Sequence, residues 1–140
     1  MKNILRGLVV GMLLAIVLLL LSYLNISPIY MVVGDSMYPT LLQYDIVFAI
    51  PKPLLTELKE GDIIIYRLGG NLIVHRIIMV VRGEGYIVKG DNNPAPDPIL
   101  VRDSMVVAKV AEIGGTPVKI HLIPFLSLLI GVDLILKRKK

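Results

Sequence analysis

No residue between Gly7 and Leu24 carries a charge, and 18 consecutive uncharged, mostly apolar residues leave a chain few places to go. Coiled as a helix, the run measures roughly 27 Å at about 1.5 Å per residue, close to the hydrocarbon thickness of a bilayer. Lys2 and Arg6 stand just before it. A basic flank also precedes a cleaved secretory leader, but the apolar part of a leader is usually only about 7–15 residues and ends in a small-x-small site. Neither holds here. The sequence therefore predicts an uncleaved transmembrane anchor within residues 1–26.

Charge supports the same organisation. The formal net charge of +4 would suit a nucleic-acid binder if it were spread over a domain. It is not. Residues 27–119 hold nine Lys/Arg against ten Asp/Glu, a balance near −1, while Lys2, Arg6 and the run Lys137-Arg138-Lys139-Lys140 carry the surplus beside apolar segments. Nucleic acid is thus not an expected partner, and the lipid bilayer is. The positive-inside pattern predicts a protein of the cell membrane with a cytoplasmic N-terminus and its central domain on the extracytoplasmic face.

That central domain, residues 27–119, reads as all-β. Short runs rich in Ile and Val recur between turn signals: Ile29–Val33, Ile46–Ile50, Ile63–Arg67, Leu72–Val81, Tyr86–Lys89 and Met105–Ile113. Gly-Asp, Leu-Gly-Gly-Asn and Arg-Gly-Glu-Gly punctuate them, and sustained helical periodicity is absent. A small, partly closed β-barrel is the expected architecture. Residues 120–140 form the last segment. Leu122–Leu136 is apolar but short and contains Pro124 and Asp133. A second membrane helix is favoured there over a helix lying in the headgroups. The chain has no cysteine, so it can form neither a disulfide nor a thiolate metal site. With no zinc spacing, phosphate loop or dinucleotide fingerprint either, no metal and no cofactor is expected.

Three stretches carry chemistry. In Val33-Gly34-Asp35-Ser36-Met37-Tyr38-Pro39, a serine follows a strand on a turn, where a hydroxyl can project toward an extended substrate. Such a serine is often a turn residue and nothing more. Only two histidines exist. His75 sits in the apolar strand Val74-His75-Arg76-Ile77-Ile78, and His121 lies at the expected membrane boundary as an interfacial residue. His75 suits general-base work because its ordinary pKa of about 6.5 lies near working pH. The third stretch, Lys89-Gly90-Asp91-Asn92-Asn93-Pro94-Ala95-Pro96-Asp97, offers two carboxylates, either of which could orient an imidazole or simply shape a loop. Asp35, Asp45 and Asp62 sit at turns or strand starts and read as structural. Met37, with Leu41 and Leu42, reads as core or as an apolar edge toward the bilayer.

In order and residue type these stretches resemble the type I signal peptidases, specifically the archaeal and endoplasmic-reticulum branch, which has His where most bacterial enzymes have a catalytic Lys. The likeness runs from the first membrane segment to about Ile113. It implies a signal-peptidase-type β fold and a membrane-bound serine endopeptidase acting on preprotein signal peptides. Ser36 would be the nucleophile and His75 the base. Asp97 and Asp91 both match positions associated with activity, the later one usually being given the orienting role. Small residues would be required at the first and third substrate positions before the cut. Partner subunits in the membrane are left open. One position departs from the bacterial pattern: Gly34 stands where a hydroxyl residue often precedes the nucleophile by two, so oxyanion stabilisation would rest on backbone N–H groups such as that of Ser36. Two other readings compete. A LexA-like self-cleaving serine peptidase shares the Val-x-Gly-Asp-Ser-Met pattern but uses lysine as base, and a non-catalytic membrane-anchored β module would bind secreted proteins without cutting them.

Overall fold

The structure, a computed structural model, describes residues 2–23 and 27–122. The second membrane helix expected over Leu122–Leu136 lies, but for its first residue, outside them. A helix, α1 (Lys2–Tyr23), opens the chain and covers most of the uncharged run. The large apolar side chains described along it are exposed, Ile4 and Leu19 among them. Among the described residues no helix is long and apolar enough to cross a membrane; the side chains at 18 and 21–23, inside the apolar run, are not among those described.

The remainder is β. The strands are β1 (Ile29–Met31), β2 (Asp45–Pro51), β3 (Ile63–Leu68), β4 (Asn71–Val81), β5 (Gly85–Lys89), β6 (Val106–Val110), β7 (Glu112–Ile113), β8 (Thr116–Pro117) and β9 (Lys119–His121). Seven of them form one sheet in the order β1-β2-β6-β3-β4-β5, with β9 on β2, and β7 pairs β8 in a separate two-stranded sheet. Leu68–Asn71 closes the β3–β4 hairpin through Gly69 and Gly70, both at positive φ, which a side chain would disfavour.

β3 lies at the centre and reads Ile-Ile-Ile-Tyr because both of its faces are covered. Ile63 and Ile65 face a core with Val32, Met37, Leu41, Val47, Ala108 and Val110. Ile64 and Tyr66 face a second core with Leu58, Ile77, Val88, Val101 and Val106. Each wholly buried aliphatic side chain contributes about 1.5–3 kcal/mol relative to exposure.

Two expectations are corrected. The sheet is not closed into a barrel. Closure would need β1 to meet β4 or β5, but Pro28 and the Gly34 turn (φ +99°) bracket β1, which is only three residues long. The outer edge of β5 is taken by Val101 at Tyr86. An open cleft remains where the closing pair would have formed. The long strand expected over Met105–Ile113 also breaks. The chain leaves β2 at Ala111, makes the β7–β8 hairpin, and returns to the same strand as β9, with Ile46 opposite Ile120. His121 is accordingly a strand residue whose Nδ1 lies 2.6 Å from Asp45 Oδ1. Asp45 is wholly buried and also receives Lys119 at 2.8 Å and the Leu42 N–H at 2.9 Å. Met37 and Leu41 are core, 1% and 0% exposed, with no apolar edge presented by either.

Candidate active site

The turn after β1 is shaped by Gly34 and anchored by Met37 and Leu41, which are buried beneath it. That anchoring leaves Ser36 half-buried between core and solvent. Across from it, β4 carries His75, 6% exposed and opposite Ile64 of β3. The loop after β5 supplies the acids. It is tied to the serine turn through the Asn92 N–H, which donates to Ser36 O at 2.8 Å, and it packs there without a side chain at Gly90. A Cβ on Gly90 would lie 2.6 Å from Ser36 O, so only glycine permits the approach. The loop then returns, with Asp97 N–H donating to Val88 O at 2.9 Å.

These supports bring three of the four predicted side chains into one line. His75 Nδ1–H donates to Asp97 Oδ2 at 2.8 Å, and His75 Nε2 lies 3.2 Å from Ser36 Oγ. With Nδ1 protonated, a neutral imidazole presents its Nε2 lone pair to the serine hydroxyl. Such an arrangement can take a proton from the hydroxyl and later hand it to a leaving group.

Asp91, the fourth, sits apart. Its carboxylate receives Arg76 in a two-pronged pair, Nε to Oδ1 at 2.9 Å and the second nitrogen to Oδ2 at 2.7 Å. The same guanidinium donates to Gly61 O at 2.8 Å, so Arg76 fastens the acid loop to the start of β3. Burial alone would raise the Asp91 carboxyl, but hydrogen bonds from Arg76 and Thr40 outweigh it and hold it below the ordinary carboxylate range. Asp45 is held low in the same way, burial being outweighed by the Leu42 N–H, Lys119 and His121. A depressed carboxylate contributes stability at pH above its unfolded pKa, near 3.9, and loses that contribution as pH falls through its folded value. The melting temperature should therefore be flat near neutrality and fall below about pH 4. Asp91→Asn should lower the neutral plateau and flatten the acid fall, which thermal melts across that range would measure. A parallel acid fall in both proteins would show that Asp91 contributes none of it.

Two residues of the site were not predicted. Arg76 adjoins His75 in the quoted motif yet carried no assignment. Tyr66, completely buried in β3, donates its O–H to Asp97 Oδ2. The signal for Tyr66 is a polar-tipped aromatic ending a wholly apolar run, because a buried phenol needs a partner.

A cleft of about 260 Å³ opens beside Ser36, walled by Tyr30–Val33 on one side and Leu72–Val74 on the other, with Val47 and Ile65 beneath. Among the described residues β1 pairs only β2, and β5 pairs β4 only from Arg76 onward, so each wall offers the cleft a strand edge with no partner among them.

Comparison with known proteins gives the family. The family model "Peptidase S24-like" matches residues 25–113. The signal peptidase complex catalytic subunit sec11 of Sclerotinia sclerotiorum is 39% identical over 77 residues, covering 51% of this chain and 44% of that protein. The SEC11 subunits of Pyricularia oryzae and Colletotrichum graminicola are 30% and 29% identical over 112 residues, covering 75% of this chain and 64% of each. The chain thus spans between 44% and 64% of the length of these relatives. With the matched region running from the start of β1 through β7, the chain belongs to the peptidase S24-like family of serine peptidases, on its signal-peptidase branch.

Proposed function

We propose that this chain is a membrane-anchored serine endopeptidase that removes signal peptides from secreted preproteins. The observation that carries the reading is the line Ser36–His75–Asp97 beside a cleft with two strand edges. Ser36 Oγ attacks the scissile carbonyl as His75 Nε2 takes its proton. The imidazolium, stabilised by Asp97, then protonates the leaving amine, and water repeats the cycle on the acyl-enzyme. The Ser36 N–H serves as an oxyanion donor. The substrate lies extended between β1 and Leu72–Val74 as an added strand, and the narrow cleft admits small side chains next to the cut. The anchor is the uncharged run Gly7–Leu24, 18 residues preceded by Lys2 and Arg6. Its basic end lies in the cytoplasm and the β domain on the other face. The relatives are catalytic subunits of a signal peptidase complex, so further membrane subunits are expected partners here too.

The test is incubation of the detergent-solubilised chain with one preprotein, followed by sequencing of the product N-terminus. Cleavage after a small-x-small pattern is expected. A cut within this chain alone would favour self-cleavage. No cut, together with no labelling of Ser36 by a serine-directed acylating probe, would favour the non-catalytic binding module.

A further inference from the structure

Tyr66 is the largest wholly buried side chain of the domain, and its hydroxyl reaches a charged partner 31 residues away. That partner is Asp97 Oδ2, the same oxygen that accepts the His75 N–H. The register explains why the three groups meet. Ile64 stands opposite His75 and Tyr66 opposite Ile73, so Tyr66 and His75 are diagonal neighbours on one face of the sheet. Their ring centroids lie 6.3 Å apart at a tilt of 56°. Asp97, on a loop otherwise held here by its own N–H, comes down over both. Burial, the Asp97 hydrogen bond and the Asp97 charge together push the Tyr66 hydroxyl far above its ordinary range, so it remains a donor at any working pH.

We infer that Tyr66 is a positioning residue for the proposed reaction, its O–H fixing the Asp97 carboxylate and setting how strongly that carboxylate draws on the His75 ring. This rests on the peptidase reading above. A carboxylate oxygen that receives two donors has its charge shared between them. The phenol therefore does two things. It removes the rotational freedom of a loop carboxylate, which keeps His75 Nδ1–H and Nε2 correctly aimed. It also shares the charge of the Asp97 oxygen that His75 Nδ1–H donates to, tempering the pull of Asp97 on the ring. Arg76 and Asp91 face each other on the neighbouring strand position and loop, and their pairing leaves them no part in this oxygen's coordination.

The test is Tyr66→Phe, which keeps the ring and removes one oxygen. The readout is the pH profile of kcat/KM, whose acid limb reports the base of the free enzyme. Without the second donor, Asp97 draws harder on the ring. The acid limb should move up by about half a pH unit and kcat fall about tenfold, as expected for part of a charge-assisted hydrogen bond. KM should change little, because Tyr66 does not line the cleft. Val106→Ala is the control. It thins the same core opposite Tyr66 without touching Asp97, so it should lower the melting temperature and leave the profile in place. A ring-fluorinated tyrosine at position 66 preserves packing and donates more strongly, so its acid limb should move down, and this variant decides the matter should the Phe variant fold poorly. An acid limb unmoved by either replacement would reduce Tyr66 to packing. If the wild-type chain cleaves no preprotein, the peptidase reading falls first, and the two failures are told apart by that assay alone.

Discussion

Ser36→Ala is expected to abolish preprotein cleavage while leaving the fold intact. Loss of a serine peptidase nucleophile costs on the order of 10⁶ in kcat, or about 8 kcal/mol of transition-state stabilisation. The structure separates this loss from any effect on folding. The Ser36 side chain makes one hydrogen bond, the 3.2 Å contact to His75, and a neutral bond of that kind contributes about 0.5–1.5 kcal/mol. What holds the turn is elsewhere: Met37 and Leu41 in the core, and the Ser36 carbonyl accepting from Asn92 at 2.8 Å. None of these is touched by the substitution. The melting temperature should thus fall by about 2–12 °C, at about 4–8 °C per kcal/mol for a domain this size, which leaves the protein folded at assay temperature. His75, Asp97 and Tyr66 keep their mutual bonds in the variant. Kinetics and thermal melts on the same preparation provide the check, and readily measurable processing by a folded Ser36→Ala protein would remove Ser36 from the nucleophile role.

The strands were legible in the sequence because β-branched runs and Gly turns are local signals. Ile63–Leu68 and Asn71–Val81 fall within a residue of the runs read from composition. Two features were not, and both depend on what meets in space. The run Met105–Ile113 is apolar but for Lys109 and Glu112 and holds neither Gly nor Pro, so nothing in it announces that the chain turns away from β2 at Ala111. Lys119–His121 reads as a polar membrane boundary, and only the buried carboxylate of Asp45 on the paired strand explains why Lys119 and His121 belong in a sheet. Whether a sheet closes is likewise a question of which edges find one another, and β1 is too short for its pattern to tell. For the candidate site, Ser36, His75, Asp91 and Asp97 were named from residue type and local setting, and their roles from the resemblance. The two acids were separable only by partner, since Arg76 reaches one and His75 the other. Tyr66 was hidden because its neighbours Ile63–Ile65 make it look like ordinary core.

Asp97→Asn carries the second large effect, and the geometry of Oδ2 sets its size. In a serine triad the corresponding change costs on the order of 10⁴ in kcat, because the amide nitrogen turns toward the imidazole and enforces the wrong tautomer. That value is a ceiling here. Both donors of this site, the His75 N–H at 2.8 Å and the Tyr66 O–H, converge on a single oxygen. An asparagine that places its own oxygen there satisfies both, whereas the flipped amide sets an N–H against two donors. The correct tautomer is therefore retained and only the negative charge is lost. A fall on the order of 10³ in kcat is expected, about 4 kcal/mol at 1.36 kcal/mol per decade. Adding Tyr66→Phe removes the restraint on the amide, and the double variant should drop to the 10⁴ ceiling. Asp91→Asn should behave differently, losing stability through the Arg76 pair and little in kcat, because its carboxylate touches neither His75 nor Ser36. Measuring kcat and melting temperature for the set with one preprotein separates these outcomes. If Asp91→Asn proves the more damaging to kcat at unchanged stability, Arg76 and Asp91 hold the reacting groups, and the role given to Asp97 passes to them.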